Sequence, residues 1–233
     1  MKKNIQDIAL AVVKRYKAHR LKTTFTVAIS GIDAAGKGHI SRLLQAALEA
    51  MGYQVALVNT DPWQNPISIR LKREDPAMNI YENIFRWDDF FEQLILPIQK
   101  NKSISLETTG IYPHADIYYP LVYDHRNIDI LLIEGILLLK KKYLHYYNYK
   151  IWIDCSFETA LQRAIERNAE KLEEEQLISD YDTYYYAAQR LHFEKDGPRR
   201  SADLIFNNDP RPYCPVNDRN KNPGQVFLPK NPT

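Results

Sequence analysis

Two cysteines in 233 residues, Cys155 and Cys214, are too few for a disulfide framework, and their separation fits no metal-binding spacing. A reducing cytosol is the setting this implies. Charge of one sign is equally scarce. Lys and Arg total 31 and Asp and Glu 29, a net +2, so there is no electrostatic case for binding nucleic acid or a membrane. Long hydrophobic runs are missing too. The stretch Ile8-Ala9-Leu10-Ala11-Val12-Val13 is cut by Lys14-Arg15, too short for a secretory signal or a bilayer span. Internal repeats are absent. The sixteen tyrosines are an abundance to which no function attaches. A chain of this length can bury a sizeable core, and one domain with a lid or small insertion is expected.

What is present centres on one turn. Thr26-Val27-Ala28-Ile29-Ser30 is short, apolar and β-prone. It runs into Gly31-Ile32-Asp33-Ala34-Ala35-Gly36-Lys37-Gly38, and then into Ile40-Ser41-Arg42-Leu43-Leu44, which has helical periodicity. A strand, a glycine-rich loop and a helix in this order make a phosphate-binding P-loop. Gly31 and Gly36 allow backbone angles closed to other residues. Successive N–H groups can then converge on an anion at the positive end of a helix, and Lys37 adds a point charge for the outer phosphates. The residue after the lysine is normally Ser or Thr, whose hydroxyl binds Mg²⁺; here it is Gly38. The plain alternative is a βα turn with a surface lysine.

Elsewhere, Ile5, Ile8, Val12 and Tyr16 share one helical face, so 1–22 reads as an N-terminal amphipathic helix. The helix after the loop turns Ile40, Leu43, Leu44, Ala47, Leu48 and Met51 inward and stops at Gly52. A second strand, 54–60, ends at Asp61-Pro62-Trp63. Residues 64–85 read as a loop with short helical turns, and 87–100 as a helix that Pro97 should kink or end. Residues 103–124 suggest a β-hairpin excursion at the sheet edge. Asp129-Ile130-Leu131-Leu132-Ile133 is a strand buried on both faces, ending at Glu134-Gly135. A strand at 150–154, helices at about 157–170 and 180–194, and a last strand at 202–207 follow; 171–179 extend the first of these helices. From Asp209 the chain is a Pro- and Asn-rich tail, disordered or draped over the surface. The fold class is therefore α/β, with a parallel sheet sandwiched by helices. In such sheets the site lies at the carboxyl ends of the strands, where the loop, Asp61 and Glu134 all fall.

Asp61 can accept the proton of a substrate hydroxyl as it attacks a γ-phosphate; otherwise it is a turn or cap residue ahead of Pro62. Glu134 follows a fully apolar strand, where a charge is costly unless it meets a cation or water. It can hold Mg²⁺ directly or through water; otherwise it caps a following helix. Arg163 and Arg167, four apart on one helix face, can close over a transferring phosphoryl group, or pair with Glu166 and Glu170 on a solvated face. Tyr81, Arg86, Tyr123, His125 and Arg126 are candidates for an acceptor pocket, each equally able to be packing or surface.

Together these pieces resemble the uridine kinase-like family of P-loop kinases over about residues 20–210. The likeness rests on Ser30 through Lys37, Asp61 after the second strand, Leu132-Ile133-Glu134-Gly135-Ile136, and Tyr186-Ala187-Ala188-Gln189-Arg190-Leu191 followed by Pro198 and Ala202-Asp203-Leu204-Ile205. The resemblance implies one kinase-like domain over 1–208, with a helical lid at about 168–180 and the tail at 209–233. It implies that Gly31, Asp33, Ala34, Ala35, Gly36, Lys37, Gly38 and the adjoining His39 hold the phosphates of ATP or GTP. Asp61 and Glu134 would be the base and the metal-side acids for Mg²⁺, with Lys37, Arg163 and Arg167 completing the catalytic set. Gln189 would sit near the acceptor or lid, and Asn208 near the donor base. Gly38 departs from that family. It is similar instead to the loop of the second class of polyphosphate kinases, whose Asp-Arg pair leading into Trp-Tyr is not seen here. The expected activity is phosphoryl transfer to a small-molecule hydroxyl, such as that of a nucleoside. A polyphosphate donor, a nucleotide acceptor, or a catalytically weak nucleotide-binding relative are the alternatives, and a homo-oligomer stays open.

Overall fold

The computed structural model of the chain describes residues 4–19, 23–71, 74–112, 116–168 and 171–210. Helix α1 (Ile5–Ala18) precedes strand β1 (Phe25–Gly31), helix α2 (Lys37–Ala50) and strand β2 (Val55–Asn59). A 3-10 turn (Asp61–Trp63) and short helices α3 (Ile67–Arg70) and α4 (Pro76–Asn83) follow. Helix α5 (Trp87–Asp89) passes through a π-helical segment (Phe90–Ile95) into α6 (Leu96–Asn101). Strands β3 (Ile104–Ile111) and β4 (Tyr118–His125) form a hairpin. Then come β5 (Ile130–Gly135), a 3-10 segment (Lys141–Tyr146), β6 (Tyr149–Asp154), α7 (Phe157–Arg167) and α8 (Glu174–Asp180). A second π-helical segment (Tyr181–Tyr186), α9 (Ala187–Asp196), α10 (Pro198–Ser201) and β7 (Leu204–Asn207) complete the order.

Five of the strands form a parallel sheet in the order β2-β5-β1-β6-β7. The expected α/β sheet between helices is thus observed. β1 and β5 are buried along their whole length, which explains why their residues are continuously apolar rather than alternating. Helix α2 covers one side through Ile40, Leu44, Ala47 and Leu48. Leu43 and Met51, expected inward, are instead exposed on that helix. Helix α1 packs against α2 through Ile8, Ala9 and Val12. Its first turn is closed by a reciprocal cap: Asn4 and Asp7 each accept the other's backbone N–H, at 3.0 and 2.9 Å respectively.

Three local expectations change. The helix through 87–101 does not end at Pro97. The π segment reorganises the backbone hydrogen bonds just before it, and the proline falls in the first turn of α6, where its missing N–H costs least. Residues 171–179 do not extend α7. Asn168 adopts the left-handed conformation that stops that helix, and α8 starts afresh at Glu174. The hairpin is a two-stranded sheet of its own, paired from Ile104↔His125 to Ile111↔Tyr118, not an edge of the main sheet. Residue 209, placed at the start of the tail, is anchored: Asp209 accepts from the Ser156 amide and the Thr159 hydroxyl, both at 2.9 Å. The remainder of the expected tail, 211–233, lies outside the described residues, as do 169–170 of the expected lid. Among the described residues no helix is long and apolar enough to cross a membrane.

Leu132 sits fully buried in the central strand β5. Leu132→Ala is expected to lower unfolding stability by about 2–5 kcal/mol, read from urea melts.

Candidate active site

The strand register brings three chain segments to one level. Ile29 and Asn59 both lie beside Glu134, and Ser30 lies beside Gly135. Beyond that line the chain leaves β1 as the glycine-rich loop, β2 as Thr60-Asp61 and β5 as Gly135-Ile136. The close approach depends on Gly135, whose missing side chain leaves the space that the Thr60 side chain fills. The Thr60 amide also donates to the Glu134 carbonyl at 3.0 Å. Asn59 joins two acids: its Nδ2 donates to Glu134 Oε2 at 2.7 Å, while its Oδ1 accepts from the Asp61 amide at 2.6 Å.

The loop is sharply bent. Ala34 and Gly36 both have positive φ, 55° and 90°, alternations that turn neighbouring N–H groups to one side. Two of its carbonyls are occupied. Lys37 Nζ donates to Ile32 O at 2.9 Å, and Asn208 Nδ2 and Arg163 Nη1 donate to Ala35 O at 2.7 and 3.3 Å. Gly36 is required here, because a Cβ at that position would collide with the Asn208 amide. Asp33 is spent within the protein. Its amide donates to Gln189 Oε1, and its Oδ2 accepts from Tyr181 Oη, both at 2.9 Å. Arg167 Nη2 donates to the same hydroxyl at 3.0 Å. His39 is exposed on the first turn of α2.

Glu134 is 7% exposed. Burial pushes its carboxyl up to about 7; Lys37 opposes this, Asp61 and Asp33 reinforce it, and Arg42 opposes it. A Cβ built on Gly38 would stand 3.8 Å from both Glu134 Oε2 and Arg42 Nη1. The space beside Gly38 therefore has one carboxylate and one guanidinium as its walls. Among the described residues no group of three metal-ligating side chains occurs. Two carboxylates, Glu134 and Asp61, are the acids near this space, and Asp61 acts on Glu134 electrostatically; two carboxylates with phosphate oxygens and water are a donor set that magnesium accepts.

Asp61 faces the hairpin, where its charge helps to hold the Tyr119 hydroxyl above its usual value, after burial and Tyr112. Trp63 lies parallel to Tyr123 and donates its indole N–H to the Tyr123 hydroxyl at 2.9 Å. The Arg86 guanidinium stands 5.3 Å from the centre of the Trp63 ring and donates to Thr109 O at 2.7 Å. Tyr123 and Arg86 thus join one aromatic wall. His125 and Arg126 do not. They lie at the opposite end of β4 from Tyr119, some 20 Å along the strand at its usual rise, and Arg126 pairs with exposed Asp124 at 3.2 Å. Tyr81 serves a different cluster. Its hydroxyl donates to Asp196 at 2.8 Å, Asp196 also binds His192 at 2.7 Å, and Lys140 lies over the Tyr81 ring at 3.9 Å. Burial drives the Tyr81 hydroxyl up, and the Lys140 ammonium and His192 imidazole down. A cleft of about 540 Å³ opens beside this cluster between Tyr81, Arg86, Trp87, Lys140, Lys142 and Tyr143; none of Lys37, Asp61 or Glu134 lines it.

Arg163 and Gln189 brace the loop in this structure, through Ala35 O, Asn208 O and the Asp33 amide. Sequence reasoning missed Asn59, Arg42, Tyr181 and Tyr119. Asn59 was open to discovery, since it is a polar residue ending an apolar strand. Tyr181 and Tyr119 are hidden by the abundance of tyrosine, and Arg42 by the ordinary look of an arginine on a helix.

No family model and no curated protein matches the chain in sequence. Solved structures do match in shape. A candidate uridine kinase from Bacillus stearothermophilus is 16% identical with a TM-score of 0.66, over 87% of this chain and 98% of that one. A candidate fructose transport system kinase from Silicibacter sp. TM1040 is 18% identical with a TM-score of 0.73, over 87% and 98%. The D-glycerate 3-kinase from Cryptococcus neoformans is 12% identical with a TM-score of 0.65, over 88% and 95%. The chain has the uridine kinase-like P-loop fold that the sequence resemblance implied.

The buried carboxyl makes stability depend on pH. Glu134 keeps its proton to about pH 7 when folded but releases it near 4.5 when unfolded. Between those values the native state holds the extra proton, so stability falls as pH rises through the window and is level above it. Relative to Glu134→Gln, the native chain is expected to lose on the order of 3 kcal/mol between pH 4.5 and 8. Denaturant melts across that range check this; a constant gap would mean the carboxyl ionises normally.

Proposed function

We propose that the chain is a small-molecule kinase, moving the terminal phosphoryl group of ATP or GTP to a hydroxyl. The observation that carries this reading is that the charges of Lys37 and Asp61 both act on Glu134, at the end of the central strand β5. Asn59 bonds the Glu134 carboxylate and the Asp61 backbone N–H there, beside a loop in which the Ile32 and Ala35 carbonyls are occupied. Among the described residues the amides of Gly36 to His39 have no backbone or side-chain acceptor. They lie at the positive end of α2 and suit the donor phosphates. Lys37 would leave Ile32 O to meet the outer phosphates. Asp61, on the 3-10 turn beneath the hairpin, would take the acceptor's hydroxyl proton. Tyr119 and Arg86, backed by the buried Trp63 and Tyr123, would form the wall against which the acceptor lies. Glu134 and Asp61 would hold Mg²⁺, which supplies neutralisation of phosphate charge when bound. Glu134 then serves as the carboxylate, the form its burial otherwise opposes.

Arg163 and Arg167 in this reading act from the lid side. Arg163 keeps the loop in shape, and Arg167 meets the lid at Tyr181. Asn208, lying against the loop, would border the donor base. Uridine, fructose and D-glycerate represent the hydroxyl classes in the names of the similar structures, and form the first acceptor panel.

The expected result is formation of ADP that depends on one member of a nucleoside, sugar and hydroxy-acid panel. Asp61→Ala should lower kcat by about 10²–10⁴-fold, and Lys37→Ala should weaken nucleotide binding. Turnover with polyphosphate but not with ATP would move the donor. Asp61→Ala turning over like the native chain would reject the assignment.

A further inference from the structure

The glycine at position 38 removes the hydroxyl that normally follows the loop lysine, and the structure gives that space another lining. Arg42 lies one helical turn beyond Gly38, so the two share a face of α2. Its Nη1 is 3.8 Å from the point where a Cβ on Gly38 would stand, at the same distance as Glu134 Oε2. That is ordinary van der Waals contact, so the slot would accept a serine side chain without a clash. The guanidinium is thus within reach of the space that a hydroxyl and its bound ion would take. Its charge also acts on Glu134. The rest of the residue is exposed on the helix, leaving the head free to swing a few ångströms. A planar, permanently charged donor fork suits phosphate oxygens better than a single hydroxyl does.

We propose that Arg42 is a donor-binding residue that replaces the missing loop hydroxyl, its guanidinium meeting the outer phosphates from the slot beside Gly38. This rests on the loop holding a nucleoside triphosphate. The consequence concerns the metal. A loop with a hydroxyl ties phosphate to protein through a shared cation. Here a fixed protein cation makes that tie, so nucleotide binding needs Mg²⁺ less. Glu134, on the other wall, balances the guanidinium while the site is empty of phosphate.

Equilibrium binding of a fluorescent ATP analogue, with EDTA or with Mg²⁺, tests this without any turnover. The native chain is expected to bind in EDTA within about threefold of its affinity in Mg²⁺. Arg42→Ala should bind roughly tenfold or more weakly in EDTA, the worth of a charge-assisted hydrogen bond, and Arg42→Lys should recover part of that. The double variant Gly38→Ser with Arg42→Ala should regain affinity in Mg²⁺ but not in EDTA. Alanine is a good helix former and the site is exposed, so folding is preserved; circular dichroism checks it. Unchanged binding by Arg42→Ala, or native binding seen only with Mg²⁺, overturns the proposal. In either case a loss of binding in Lys37→Ala leaves the nucleotide reading standing. No binding by the native chain under either condition overturns both.

Discussion

A carboxylate at the end of a fully apolar strand constrains everything around it. Glu134 is nearly sealed from water, and a charge so placed is tolerated only where other groups compensate it. The chain meets this demand from three directions. Asn59 donates from the neighbouring strand, Lys37 and Arg42 bring positive charge from α2, and Thr60 locks the backbone of β2 to that of β5. Each depends on the strand register. A one-residue slip of β2 would turn Asn59 away and leave the acid facing an apolar side chain. Burial still wins in part, since the carboxyl remains far above its usual range. A site that keeps an acid half-protonated is one that gains by receiving a cation.

The glycine-rich loop is held by parts of the chain distant in sequence. Arg163 and Asn208 come from α7 and the end of β7, Gln189 from α9, and Tyr181 from the π-helical segment before it. A free loop of this kind would lose more conformational entropy on binding than one already set by side chains. The bracing also links the loop to the helices that follow Asn168. Tyr181 receives a hydrogen bond from Arg167 and gives one to Asp33, so movement of α8 and its π continuation would be felt at the loop. Anything that lifts that segment must break a bond to Asp33.

Much of this was legible in the order of residues. Continuous apolar runs at 26–30 and 130–133 announce strands buried on both faces, and alternation with helices makes the sheet parallel. The place of Asp61 and Glu134 at strand ends follows from the same reading, and Glu134 lies beside Gly38 of the loop. Periodicity could not show how α7 ends, because that depends on a single left-handed residue, Asn168. Nor could it show that the helix would run past Pro97 by first relaxing into a π turn. His125 and Arg126, candidates for the acceptor pocket, follow Tyr123 closely in sequence. A strand advances about 3.3 Å per residue and alternates faces, and the hairpin carries them to its far end. Tyr81 lies in a polar cluster of its own with Asp196 and His192, an association across 115 residues that no local pattern encodes.

The polarity of the loop gives the last step. Phosphate binding requires donors, and a bent loop exposes carbonyl oxygens along with its amides. Here two of those acceptors are covered. Ile32 O is covered by the Lys37 ammonium, and Ala35 O by both the Asn208 amide and the Arg163 guanidinium. The amides of residues 36–39 are left for a ligand, at the positive end of α2. On the proposed reading, selection for an anion is set before any ligand arrives, and two of the three groups that cover these carbonyls are cations. An added hydroxyl at position 38 would contribute one more donor. With glycine there the loop lies open to Arg42, and on the proposed reading a neutral contact that works through a metal gives way to a charged one that belongs to the chain.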